Sequence, residues 1–177
     1  GTDITTQNAL TKYDYNVHDE LTTLTDPVSG VTTLVYDDLG NALSQQSPDT
    51  GATLFTHDSA GNLTTRTDAK AQLFTYSYDA LNRLTLLDAP GTADDITYSY
   101  DVCPNGSGRL CAITQNANTV SYSYNGLGEI LTHQGVNYTY DTQGRISTLT
   151  YPSGDRLTHT YNPLGQLSQI DAVINGV

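Results

Sequence analysis

Polar and apolar positions alternate along most of the chain. Tyr76-Ser77-Tyr78, Tyr98-Ser99-Tyr100, Tyr122-Ser123-Tyr124 and Tyr138-Thr139-Tyr140 each put two aromatic rings two residues apart with a hydroxyl between them. Residues two apart on a strand share a face, so each triplet predicts a strand with an aromatic side and a polar side. A turn-forming segment follows each one, and then Leu or Ile resumes the alternation, as in Leu63-Thr64-Thr65 and Leu167-Ser168-Gln169-Ile170. Strand, turn and strand make a hairpin. No stretch has a helical period.

The hairpin recurs. Tyr78-Asp79-Ala80-Leu81-Asn82-Arg83-Leu84 returns as Tyr140-Asp141-Thr142-Gln143-Gly144-Arg145-Ile146, Tyr161-Asn162-Pro163-Leu164-Gly165-Gln166-Leu167 and Tyr124-Asn125-Gly126-Leu127-Gly128-Glu129-Ile130. Earlier copies begin at Tyr36 and His57, a worn one at Tyr15, and an enlarged one at Tyr100. With anchors at Tyr15, Tyr36, His57, Tyr78, Tyr100, Tyr124, Tyr140 and Tyr161, the intervals are 21, 21, 21, 22, 24, 16 and 21 residues. The repeats fill residues 1–177 and predict a single array of sixteen short strands, with no room for a second domain.

Within each copy the turn has its own chemistry. Asp or Asn after the anchor can accept a hydrogen bond from the backbone two residues on. Gly40, Gly61, Gly108, Gly128, Gly144 and Gly165 suit the positive φ of a type I turn with a G1 bulge. A ladder of large side chains runs through the copies: Tyr13, Tyr15, Tyr36, Phe55, Tyr76, Tyr78, Tyr98, Tyr100, Tyr122, Tyr124, Tyr138, Tyr140 and Tyr161. Such a ladder is expected to form a shared packed core, with its hydroxyls reaching water. His57 and His159 stand where other copies have a bulky residue and read as substitutes in it. Between hairpins lie loops with helix- and strand-breaking residues: Asp26-Pro27, Ser47-Pro48-Asp49, Ala89-Pro90-Gly91 and Tyr151-Pro152-Ser153-Gly154. One hairpin is marginal in water, whereas a stack gains stability from each neighbour.

The Tyr-x-Tyr-Asp-x-x-Gly-Arg-Leu pattern, fullest from Tyr138 to Ile146 and nearly complete from Tyr76 to Leu84, resembles the YD repeat of bacterial RHS proteins, insecticidal toxin complex C components and teneurins. The turn from Cys103 to Cys111 also resembles a variant common in bacterial RHS chains. The resemblance implies an all-β array of stacked antiparallel hairpins in a curved, spiralling sheet, an open arc of a hollow β-shell. It implies a non-enzymatic wall segment of a longer, secreted or cell-surface protein. Its partners would be the rest of the parent protein and a C-terminal toxin or effector that the shell encloses or presents. An extracellular binding or adhesion module recognising glycan or a cell-surface protein is the alternative. Neither candidate for the family's self-cleaving element fits: Asp26-Pro27-Val28-Ser29-Gly30 has the wrong spacing, and Asn162-Pro163-Leu164-Gly165-Gln166 has Asn for Asp and reads as an ordinary repeat turn.

Composition narrows the classes further. With 7 basic and 19 acidic residues the formal charge is −12, which disfavours a phosphate backbone as partner. No apolar run approaches the ~20 residues of a membrane-spanning helix. Charged residues are only 15%, against roughly 25% in an ordinary domain. Catalytic motifs are missing: the four His are scattered, and neither a nucleophile elbow nor a phosphate loop occurs. Asp14, Asp37, Asp58, Asp79, Asp101 and Asp141 are each explained by a turn rather than by convergence on calcium, so no metal or cofactor is expected. Asp94-Asp95 reads as a solvated linker.

Two sites invite attention. Cys103 and Cys111 flank the enlarged turn, where they are either bridged across the hairpin or two buried thiols. That turn is also the only visible departure from the ladder, and so the expected place for a binding pocket. Finally, an open arc leaves strand edges unpaired, which predicts edge-to-edge self-association opposed by the negative charge at low salt.

Overall fold

In the computed structural model, residues 9–91 and 93–175 are described. They form sixteen antiparallel strands in two compact units, Gly1–Asp95 and Ile96–Val177, each holding four repeats. The first unit contains β1 (Lys12–Tyr15), β2 (Leu21–Thr25), β3 (Val31–Tyr36), β4 (Ala42–Ser47), β5 (Gly51–His57), β6 (Leu63–Thr67), β7 (Leu73–Tyr78) and β8 (Leu84–Asp88). The second contains β9 (Ile96–Tyr100), β10 (Leu110–Gln115), β11 (Asn118–Tyr124), β12 (Ile130–His133), β13 (Val136–Tyr140), β14 (Ile146–Thr150), β15 (Arg156–Tyr161) and β16 (Leu167–Val173). Within each unit every strand pairs with its neighbours in sequence, a plain meander.

Every hairpin has its register shift at the anchor. Tyr36 faces Ala42 after a bulge next to Val35, Tyr78 faces Leu84 after one next to Ser77, and Tyr140 faces Ile146 after one next to Thr139. A tight turn closes each of these hairpins. Asp37 donates its N–H to the Asn41 carbonyl at 2.9 Å, and Gly40 donates to the Asp37 carbonyl at 3.1 Å, with Gly40 at φ 83°. Gly61, Gly108, Gly128, Gly144 and Gly165 all have φ between 74° and 83°. Asn82 takes the same slot at 59°, as short amide side chains tolerate.

The loops between hairpins turn out to use the same device. Asp26 donates to Gly30 O at 2.9 Å and Ser29 to Asp26 O at 3.0 Å; Asp68–Gln72 and Tyr151–Asp155 repeat the arrangement. Asp26 thus spends its carboxylate on a turn, accepting from the N–H groups of Val28 and Gly30, both at 2.8 Å.

The two faces differ as the alternation requires. On one, Tyr76 opposes Leu87, Tyr98 opposes Ile113 and Tyr138 opposes Leu149. On the other, hydroxyls meet across strands: Thr56 and Thr65 at 2.6 Å, Thr139 and Thr148 at 2.7 Å, Ser123 and Thr132 at 2.7 Å. The ladder does not form a sealed core. A single layer of sheet leaves both faces near solvent, so most of its rings are half-buried, and Tyr13 and Tyr15 are exposed. Only Ala89, Cys111 and Tyr124 count as buried apolar residues among those described.

Candidate functional site

The most repeated piece of chemistry is the turn and its tyrosine. In each regular copy one carboxylate or amide oxygen accepts two backbone N–H groups. Asp79 Oδ1 takes those of Leu81 and Arg83 at 2.9 and 3.0 Å; Asp141 Oδ1 takes those of Gln143 and Arg145 at 2.8 and 3.0 Å. The second oxygen then pairs with the residue four on, Arg83 or Arg145, each at 2.7 Å. These donors stabilise the ionised form and hold Asp79 and Asp141 below the usual carboxylate range. For Asp79 the Arg83 backbone N–H contributes most, and for Asp141 the Arg145 side chain does. Asp37 and Asp58 are lowered in the same direction, mainly by the side-chain amides of Asn41 and Asn62. Asp14 is different: it lies within β1 and pairs with Lys12, and the turn role belongs to Asn16, whose Oδ1 accepts from His18 and Glu20. Asp95 is no bystander either, since its carboxylate accepts the Ala89 N–H at 2.9 Å.

The hydroxyls of five anchors, Tyr36, Tyr78, Tyr124, Tyr140 and Tyr161, do not reach for water, contrary to expectation. They donate to a backbone carbonyl of the preceding repeat, at the residue that follows the preceding turn. Tyr36 bonds Leu21 O at 3.0 Å, Tyr78 bonds Leu63 O at 2.9 Å, and Tyr124 bonds Leu110 O at 2.7 Å. Tyr140 bonds Ile130 O and Tyr161 bonds Ile146 O, both at 2.8 Å. That carbonyl lies at the bulge, where the ladder is locally disrupted, and the phenol supplies it with a donor. Burial raises the phenol pKa of Tyr78, Tyr124 and Tyr140 above the ordinary value of 10.0. The pattern was invisible in sequence because a Tyr that packs and a Tyr that locks look alike. His57, lacking a phenol, breaks the series, and its Nδ1 is buried without a partner, as is that of His159.

At the enlarged turn Cys103 and Cys111 are joined, with S–S 2.08 Å and Cα–Cα 5.5 Å. Gly106 lies buried against the bridge, and a side-chain carbon there would sit 2.7 Å from Cys111 Sγ and 2.8 Å from the Cys103 carbonyl. The turn is pinned to the next strand by Asn105 Nδ2, which donates to Tyr124 O at 2.9 Å. Arg109 caps the turn carbonyls of Asn105 and Ser107 and lies over the Tyr124 ring, 5.6 Å from its centre. The extra residues are engaged in packing and hydrogen bonding around the bridge.

A departure that makes a pocket lies elsewhere. Where other copies place Leu24, Leu87, Ile113 or Leu149 opposite the ladder residue, the second and third copies place Gln45 and Arg66. These two line a cavity of about 420 Å³, with Thr50, Thr53, Phe55 and Lys70. A search for altered turns overlooks it, because the change is in strand residues at unaltered spacing. Among the described residues no cluster of His, Cys, Asp and Glu could hold a metal ion, and no helix is long and apolar enough to cross a membrane.

Comparison with known proteins agrees with this architecture. The teneurin YD-shell family profile matches residues 55–173, and the RHS repeat profile matches residues 36–73. The chain belongs to the YD-shell family, whose wall is built from RHS-type repeats. No curated protein matches it. Among solved structures it is similar to TcdB2-TccC3 without its hypervariable C-terminal region (TM-score 0.77) and to TcdB2-TccC3-Cdc42 (TM-score 0.74). It is also similar to the Photorhabdus luminescens Tc holotoxin pore with a mutated TccC3 (TM-score 0.76). Each match is 18% identical and covers 95% of this chain but 10% of the other, so the chain spans about a tenth of those proteins. At that identity the likeness is one of fold.

Proposed function

We propose that this chain is wall: a segment of the β-shell of a larger secreted or cell-surface RHS protein, enclosing or presenting that protein's C-terminal toxin or effector. One observation carries the reading. The anchor tyrosine of one repeat completes the hydrogen bonding of the repeat before it, so the unit is built to be continued rather than to stand alone. The same repeat serves wherever a long sheet is needed, and the TccC3-containing neighbours are the fold analogues in which such a sheet accompanies toxin parts. The rest of the parent chain and its effector are then the partners, and no chemistry is asked of the wall itself.

The test uses the parent protein. Limited proteolysis of the intact chain leaves the effector region uncut, while a variant with Tyr78, Tyr140 and Tyr161 all changed to Phe exposes it to cleavage. Equal cleavage of the effector region in intact and variant chains, with the repeats themselves still folded, overturns the enclosure reading.

A further inference from the structure

The cavity around Arg66 is chemically unlike the rest of the molecule. In a chain of net charge −12 it gathers two of the seven cations, Arg66 and Lys70, beside the amide of Gln45 and the hydroxyls of Thr50 and Thr53. Other cations are committed within the fold: Lys12 to Asp14, Arg83 to Asp79, Arg145 to Asp141, and Arg109 to the carbonyls of its own turn. Arg66 is not. Its guanidinium lies over Phe74, with Cζ 4.1 Å from the ring centre, and among the described residues no carboxylate pairs with it. Its Nε–H is buried and finds no acceptor. The one acidic residue lining the cavity, Asp68, directs its Oδ1 to the N–H groups of Lys70 and Gln72 at 2.8 and 2.9 Å, so the two cations outnumber the single carboxylate there.

A buried N–H without a partner is costly, and a guanidinium held over a ring offers a planar fork that matches a two-oxygen acceptor. From this we infer that the cavity is a binding site for a carboxylate group, with Arg66 as its principal partner and Lys70 as a second charge. The surrounding negative field disfavours a doubly charged anion more steeply than a singly charged one, which selects carboxylate over phosphate. Gln45, Thr50 and Thr53 add donors and acceptors for hydroxyl or amide groups next to the carboxylate, and Phe55 supplies a flat apolar wall. The volume falls within the ~300–1,000 Å³ span of small-ligand sites. A uronic acid sugar and an acidic amino-acid side chain both carry this chemistry. The inference is independent of the wall reading, since it rests on a single place in the third repeat and its neighbour.

The experiment is a titration of the ¹⁵N-labelled chain, following the Arg66 Nε–H resonance by NMR. Probes are glucuronate and N-acetylglutamate, with glucose and inorganic phosphate as comparisons. A saturable shift with either carboxylate and none with glucose is expected. The stronger of the two identifies a sugar acid or an acidic side chain as the source. Arg66→Gln weakens binding, read from neighbouring backbone amides, by at least about tenfold, in line with the loss of a charge-assisted pair. Lys70→Gln, which leaves the strands untouched, weakens it less, and Lys12→Gln not at all. No movement of the resonance with either carboxylate, tighter binding of phosphate than of both, or binding undiminished in both pocket variants would overturn the assignment.

Discussion

The phenolic hydrogen of Tyr78 is held by the backbone carbonyl of Leu63, fifteen residues earlier and one repeat back, at 2.9 Å. Every feature of the repeat converges on that bond. An Asx-closed turn is followed by a bulged strand pair, and the next repeat's tyrosine bonds the carbonyl at that bulge. Removing the hydroxyl alone tests its worth. Tyr78→Phe keeps the ring and loses the donor, so a stability loss of about 1 kcal/mol is expected. Denaturant unfolding measures it, and Tyr76→Phe, for which no such bond exists in the fold, serves as the comparison.

The same groups set the dependence on pH. Carboxylates of Asp37, Asp58, Asp79 and Asp141 are depressed below their model-compound value of 3.8 by the turn donors. Their contribution is therefore complete above that value and is lost as pH falls through the lower folded values. The phenols of Tyr78, Tyr124 and Tyr140 are raised by burial, so their contribution is complete below 10.0 and is lost as pH climbs past it. Thermal melts across pH should show a plateau with an acid shoulder near or below 3.8 and an alkaline one above 10.0. Asp141→Asn shrinks the acid shoulder, and Tyr140→Phe the alkaline one.

Ala71 occupies the turn slot usually given to glycine, at φ 58°. A Cβ in that region costs about 1–2 kcal/mol. Ala71→Gly should raise the unfolding midpoint, against the usual direction for a glycine substitution. An unchanged or lowered midpoint in a thermal melt would show that the strain is relieved elsewhere.

The disulfide closes a short loop, and its removal as Cys103→Ser/Cys111→Ser should cost about 2–3 kcal/mol by loop entropy. Gly106→Ala tests the packing around it separately. The bridge and the Cys103 carbonyl leave no space for a methyl. The variant should therefore be less stable when oxidised, and the deficit should shrink on reduction.

Strand β16 pairs on one side with β15 and presents Leu167, Ile170 and Val173 half-exposed. Edge pairing between copies should be visible by light scattering, strengthening as salt screens the −12 charge. Ile170→Lys, a charge placed on that strand, should reduce it.

How far sequence reading reaches can be traced residue by residue. Tyr76-Ser77-Tyr78 announced its strand because alternation survives any context, and Gly40 or Gly144 announced its turn because few other residues accept that φ. The partner of the Tyr78 hydroxyl was not legible, since it is a backbone carbonyl and carries no letter of its own. Asp26-Pro27-Val28-Ser29-Gly30 was legible only as a break: Ser29 holds the positive-φ slot, at 71°, in place of the telltale glycine. Arg66 was hidden for another reason. Its oddness lies in standing across the strand pair from Phe55, and cross-strand neighbours depend on register, which the bulges shift.

The interval from Tyr124 to Tyr140 is only 16 residues, yet Tyr140 still reaches Ile130 at 2.8 Å. The shortening is absorbed at the far end of the strands, where Gln134 and Gly135, both with positive φ, make a two-residue hairpin turn. The two ends of a repeat are therefore under unequal constraint. At the anchor end a change in length needs compensating contacts, such as the disulfide and the Asn105 bond of the enlarged turn, because the bulge and the phenol must still agree. The opposite end can lengthen or shrink by several residues without disturbing the bond to the preceding repeat, although its loops touch one another, as Asn175 does by donating to Asp155 and Gly154. Lineages that tinker with such a protein should admit anchor-side insertions only where, as at Cys103–Cys111, the turn brings its own support, and leave most of their insertions and deletions along the opposite border. A new loop for a new contact can be added at that border without renegotiating the wall.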